Sequence, residues 1–185
     1  SACRFFRPAS REDRFNDWTG NLALSYQTDH ANIFARVARG FRAPQTTELY
    51  RLQSGQVTAD LDSETIDSVE FGVRGQGGAV AYDLAGYWMA KENVIFQDRD
   101  RYNVSGADTL HRGIDVTFSW ALSDIWSLRG NGAFARHRYD NDIELIGSRN
   151  TIEGNDVDTS PKHFGSLQLL ADLAPLGQEL EIECG

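Results

Sequence analysis

Residues 109–138 read TLHRGIDVTFSWALSDIWSLRGNGAFARHR, and the parity of this stretch decides the fold. Leu110, Ile114, Val116, Phe118 and Trp120 are large and apolar, whereas the interleaved His111, Gly113, Asp115, Thr117 and Ser119 are polar or small. Successive side chains of a strand point to opposite faces, so a period of two describes a sheet with one greasy face and one polar face. A turn at residues 121–125 reverses the chain and the parity resumes. Trp126, Leu128 and Phe134 now oppose Ser127, Arg129, Asn131 and Ala133. A soluble sheet shows the same alternation, so the fold class rests on how the pattern repeats and how the repeats are joined.

Upstream, Trp18, Leu22, Leu24 and Tyr26 oppose Thr19, Asn21, Ser25 and Gln27. After a turn at residues 28–31, Ile33, Ala35, Val37 and Phe41 oppose Arg36 and Gly40. A second pair sets Val69, Phe71 and Val73 against Ser68, Glu70 and Arg74. A glycine turn at residues 75–78 then leads to Val80, Tyr82, Leu84 and Trp88 against Ala81, Asp83 and Ala85. Downstream, Leu167, Leu169 and Ala171 are in phase, and a turn at residues 174–177 begins one last strand. No segment carries the 3.6-residue period of a helix. The chain therefore predicts an all-β fold, an antiparallel meander of about eight long strands.

The joins alternate. Tight turns follow every second strand, and the long polar stretches 42–64, 97–108 and 139–161 follow the others. Such a meander has two chemically different ends, the organisation of a transmembrane β-barrel with short periplasmic turns and long outer loops. Tyr26, Tyr82, Trp120 and Trp126 share the apolar parity and sit beside short turns, where they would form an interfacial girdle. Trp18 and Tyr26 are eight residues apart. At a barrel tilt that separation projects to about 20 Å, close to the ~25 Å apolar band of such barrels. The other face carries Arg36, Glu70, Arg74, Asp83, Asp115 and Arg129, charges that suit a wide wet lumen.

Composition narrows the function. The 185 residues suffice for one domain, and no run approaches the ~18 apolar residues of a membrane-spanning helix. A formal net charge of -9 argues against a nucleic-acid partner. Cys3 and Cys184 stand at opposite ends without zinc-site spacing, and nothing supports a bond between them. Residues 1–17 are arginine-rich and without period, and are expected to be a poorly ordered lead-in or the remnant of a preceding strand. Nothing in them resembles a signal peptide, which fits a fragment or processed chain as well as a cytosolic one, and the final alternation stops as though within a strand.

The segment Arg39-Gly40-Phe41-Arg42-Ala43-Pro44, followed by Thr47-Glu48-Leu49-Tyr50, resembles the RGFRAP…ELY signature of TonB-dependent outer-membrane receptors. Further resemblances follow in that family's order: Asp60 to Thr65 to its NPxLKPE[TS] segment, Val69 to Arg74 to ELG[VL]K, Arg112 to Val116 to RGxE[LV], and Ser160 to His163 to xPKH. Asp62 departs from the family's frequent Lys. The resemblance implies that residues 18–185 are part of a barrel of about 22 strands around a plug, with plug, TonB contact and terminal strand outside this sequence. It implies an outer-membrane active-transport receptor of a Gram-negative bacterium. Its partners would be a ferric siderophore or similar small ligand, outer-membrane lipid, and TonB through the plug region. The family's haem receptors keep a histidine between the first two motifs; residues 42–64 have none, which disfavours haem. The alternative is a self-contained eight-strand barrel serving as an adhesin or small-ligand carrier.

Candidate sites follow. Arg42 and Pro44 mark a strand-to-loop exit, with Arg42 bridging carbonyls or a carboxylate. Pro161 and His163 open a later strand. Tyr50 and Arg51 could offer an aromatic face and a cation to an anionic chelate, as could Arg99 and Arg101, although interleaving with Asp98 and Asp100 favours a self-paired hairpin tip. Asp140, Asp142, Glu144, Glu153, Asp156 and Asp158 cluster in one loop but form no EF-hand pattern. His111, His137 and His163 lie on different strands. No nucleophile-base pattern, HExxH or phosphate loop is present, so no catalytic residue, cofactor or metal is expected.

Overall fold

The computed structural model describes residues 5–6, 9–143, 151–158, 160–173 and 178–184. Eight strands form one antiparallel sheet: β2 (Gly20–Gln27), β3 (Ala31–Arg42), β5 (Glu64–Gly77), β6 (Val80–Gln97), β7 (Asn103–Ala121), β8 (Trp126–Tyr139), β9 (His163–Leu173) and β10 (Gln178–Cys184). The two-residue strands β1 (Phe5–Phe6) and β4 (Leu52–Gln53) pair with each other, and α1 spans Thr46–Tyr50. Each long strand bonds to its neighbour in sequence, in the order β10-β9-β8-β7-β6-β5-β3-β2. β2 and β10 end that order, so these eight strands form an open arc. A barrel closed on eight strands, the alternative reading of the sequence, would pair those two ends.

The pairing registers align the alternation of each strand into two coherent faces. Leu24, Ala35, Phe71, Gly86, Ile114 and Phe134 lie in one cross-strand row. Leu24 is 69% exposed, Phe71 61%, Ile114 51% and Phe134 64%. A sheet face this apolar and this uncovered belongs in hydrocarbon rather than in water. On the opposite face Arg36 stands across from Glu70, and Arg74 from Asp83, with Arg74 Nε 3.9 Å from the Asp83 carboxylate. Cross-strand packing on this polar face depends on glycine. The Phe34 ring covers Gly72 and the Tyr87 ring covers Gly113, where an added Cβ would stand only 2.4 Å and 2.6 Å from the ring carbon and the hydroxyl.

Several boundaries differ from the sequence expectation. The hairpin strand runs through Gly77, and only Gly78 and Ala79 turn, with Gly78 at φ +59 as a tight hairpin requires. The stretch 97–108 is mostly strand: β6 and β7 continue to a turn of only residues 98–102. Strands of 18 and 19 residues exceed the ~9–11 that span a bilayer, so this hairpin rises well past the apolar band. There Ile95 meets apolar loop residues, and register shifts between Lys91 and Phe96 break the two-residue period. α1 escaped notice because five residues hold little more than one turn of the helical period.

The buried apolar cluster lies in the loops rather than in the sheet. Leu49, Leu52, Ala59 and Leu61 pack together, joined by Phe15, Tyr50 and Ile95. Phe15 belongs to the lead-in, which touches the loop 43–63 through that ring. The turn 174–177, Cys3, the side chain of Cys184, and Glu144 and Thr159 of the third polar stretch lie outside the described residues.

Candidate functional site

At the long-loop end the strands deliver their connections into a cross-linked cap. Arg42 closes β3 and Glu64 opens β5 directly opposite it. The guanidinium binds Glu64 in two-pronged fashion, Nη2 to Oε1 at 2.6 Å and Nε to Oε2 at 2.8 Å. Its Nη1 also donates to Glu48 of α1 at 3.0 Å. Glu48 in turn accepts the Gln45 N–H at 2.6 Å, fixing the start of the helix, and Glu64 accepts the Ile95 N–H at 2.7 Å. One guanidinium thus ties two strand ends, a helix and the rising β6. The hydrogen bonds that Arg42 donates to Glu64 and Glu48 raise its pKa further. Burial pushes the Glu64 carboxyl up, but the bonds from Arg42 and the Ile95 N–H outweigh it and leave its pKa below the ordinary value.

Tyr50 sits at the end of α1 with its hydroxyl on the Asp13 carboxylate. Arg11 binds the same carboxylate, Nε to Oδ2 at 2.8 Å, and donates to the Ala59 carbonyl at 2.8 Å. These bonds hold Asp13 below the usual carboxylate range and push the Tyr50 phenol up. The Tyr50 hydroxyl therefore fastens the lead-in to the loop, and its ring is partly covered. Arg51 follows the helix as an exposed residue whose N–H reaches the Thr47 carbonyl at 3.3 Å.

The first loop is also locked to the β6–β7 tip. Gln56, 8% exposed, donates to the Asn103 carbonyl at 2.8 Å and accepts the Asn103 N–H at 2.9 Å, pairing like a strand residue. The Asn103 amide reaches the Glu48 carbonyl at 2.8 Å, and the Tyr102 hydroxyl lies over Gly55, which holds φ +106. Arg99 and Arg101 are exposed at this tip. The self-paired arrangement expected there is not the one observed: Asp98 accepts the N–H groups of Asp100 at 2.9 Å and Tyr102 at 2.8 Å, a backbone cap, while Arg101 takes a left-handed φ of 66. No ion pair engages Arg99 or Arg101 among the described residues. The tip places both cations beside the loop that bears Tyr50 and Arg51.

Two carboxylates of the third loop, and Asp108 of β7 beside it, are engaged within the protein. Asp142 accepts the Ile152 N–H at 2.9 Å, Asp156 binds Lys162 Nζ at 2.6 Å, and Asp108 receives the Asn141 amide at 3.1 Å. The bond from Lys162 depresses the Asp156 pKa. Among the described residues no group of three His, Cys, Asp or Glu side chains could hold a metal ion. Pro44 is buried beneath the first loop, Pro161 is exposed, and His163 opens β9. At the short-turn end Tyr26, Tyr82, Trp120 and Trp126 are 69%, 38%, 46% and 39% exposed on the apolar face. Near the opposite end of that face the Arg39 guanidinium stacks 5.2 Å from the Trp18 ring and binds Asp67 at 2.6 Å. Sequence reasoning missed Glu48, Glu64, Gln56 and Asn103, because their partnerships join segments with no shared period. Only the Gln45-to-Glu48 spacing at a helix start carried a local signal.

A family model described as TonB dependent receptor-like, beta-barrel matches residues 4–177. No curated protein matches the chain. Among solved structures it resembles the ferric yersiniabactin uptake receptor FyuA from Yersinia pestis, with TM-score 0.62 and 18% identity over 83% of this chain and 22% of that one. It also resembles the FrpB iron transporter from Neisseria meningitidis, with TM-score 0.66 and 12% identity over 89% and 25%. The copper transporter OprC gives TM-score 0.68 and 17% identity over 83% and 24%. The chain thus spans about a quarter of the length of the structures it matches.

Proposed function

The chain belongs to the TonB-dependent receptor-like β-barrel family, and from that premise we propose that it forms part of the wall and outer cap of an outer-membrane receptor that imports a ferric siderophore. The observation that carries this reading is the open, two-faced arc, apolar without and charged within, crowned at one end by cross-linked loops. In this reading the short turns face the periplasm of a Gram-negative cell, and the girdle of Tyr26, Tyr82, Trp120 and Trp126 lies at the inner interface. The cap meets the ligand. Arg99 and Arg101 at the tip, with Arg51 and the Tyr50 ring nearby, supply cationic and aromatic surface for an anionic chelate. TonB, acting through a plug, supplies the energy of passage along the polar face. The names of the ferric yersiniabactin receptor and the iron transporter support an iron cargo.

The cargo is tested by growth of a receptor-deleted strain on a panel of ferric chelates, haem and cobalamin, with and without the complete gene. Restoration by a ferric siderophore alone is the expected result; restoration by haem or cobalamin alone would overturn it.

A further inference from the structure

One row of the polar wall sets three late-transition-metal donors side by side. Met89 on β6 stands directly opposite His111 on β7, and His111 directly opposite His137 on β8. Residues so placed have Cβ atoms ~4.5–5.5 Å apart. The two imidazoles turn toward each other, with Nδ1 to Nδ1 at 2.7 Å and ring centroids 5.0 Å apart. His111 Nε2 lies 2.9 Å from the hydroxyl of Thr109, itself only 5% exposed. A consistent proton placement has His111 Nε2–H donating to Thr109 Oγ1, which leaves the His111 Nδ1 lone pair to accept the His137 Nδ1–H. Met89 and His137 line one concavity of the wall together with Tyr87.

We propose that Met89, His111 and His137 bind a soft monovalent late-transition-metal ion, with Cu(I) the best match, on the lumen face of the barrel. The site goes beyond the cargo reading and does not depend on which ligand is imported. Two Nδ1 atoms at this separation subtend roughly 85° at an ion held ~2.0 Å from each, an open but workable angle. Thr109 acts as the outer partner that fixes the ring orientation and tautomer of His111. A thioether beside two imidazoles selects soft ions over hard ones. Lys91, directly opposite Thr109, places a cation next to the site and weighs against a divalent ion more than a monovalent one. Binding replaces the shared proton. His137 releases it from Nδ1, to its own Nε2 or to water, and both Nδ1 lone pairs then face the metal, with no change of oxidation state.

The protein expressed from its complete gene and extracted in detergent is titrated anaerobically with Cu(I) against a competing chelator, and with Ag(I) as a redox-silent probe. The expected result is one tight site, weakened at least tenfold in both His111→Ala and His137→Ala, and weakened for Cu(I) and Ag(I) but not for Zn(II) in Met89→Leu. Heat-modifiable gel mobility checks that each variant is folded. X-ray absorption of the copper-loaded wild type needs no variant and should show nitrogen at ~2.0 Å together with one sulfur near ~2.3 Å. Wild-type affinity in the folded histidine variants, or a copper shell without sulfur, would overturn the proposal.

Discussion

Arg42 concentrates the stability of the cap in one side chain. It is 37% exposed, so solvent screens its two ion pairs, and their value lies as much in fixed geometry as in charge. Arg42→Ala should cost about 1 kcal/mol of global stability, yet markedly raise protease cleavage within residues 43–63. Arg42→Lys should restore only part of that protection, because an ammonium cannot grip Glu64 with two prongs. Glu64 gives the matching pH dependence. Its folded pKa is depressed, so its contribution is complete above the ordinary glutamate value near ~4.3 and is lost as pH falls through the lower folded value. Cleavage in the loop should therefore rise on acidification in the wild type and change less in Glu64→Gln. The sequence marked Arg42 as a cation at a strand exit. Its partners, 6 and 22 residues away, were not legible, since nothing periodic connects them.

At the scale of elements, legibility follows the solvent. Where one face meets lipid and the other the lumen, every second residue is constrained, and strands such as β7 below His111 declare themselves. Where both faces meet protein loops or water, as at Asn103 to Asp108, the constraint vanishes and a strand reads as a polar loop. The same contrast predicts mutational tolerance. Phe134→Arg in the middle of the apolar face should cost roughly 2–4 kcal/mol of folding free energy in vesicles. Asn131→Arg on the lumen face should cost almost nothing, as measured by the folded fraction on a heat-modifiable gel. In the cap, Leu52 is completely buried. Leu52→Ala should cost roughly 2–5 kcal/mol, with hydrogen exchange rising across residues 43–63 and at the β6–β7 tip while β8 and β9 stay protected.

At the scale of the molecule, the open order of strands carries the most weight. Among the described residues the eight-strand arc has two unpaired edges and needs neighbours, because uncovered edges and an uncovered apolar face both invite association. A wider barrel supplies them, with lipid on one face and a wet lumen on the other. In that frame the lead-in, the first loop and the β6–β7 tip form one cross-linked cap: the lead-in grips Tyr50, Gln56 pairs with Asn103, and Arg99 and Arg101 stand at its rim. The architecture was legible from the alternation and the loop lengths, whereas the cap was not, because its order comes from contacts between segments distant in sequence. The most direct test is uptake of radiolabelled iron, presented as a ferric siderophore, by cells carrying the complete gene in otherwise identical backgrounds with and without TonB. Energised import predicts accumulation only when both the gene and TonB are present. Equal accumulation without TonB, or none with both, would contradict it.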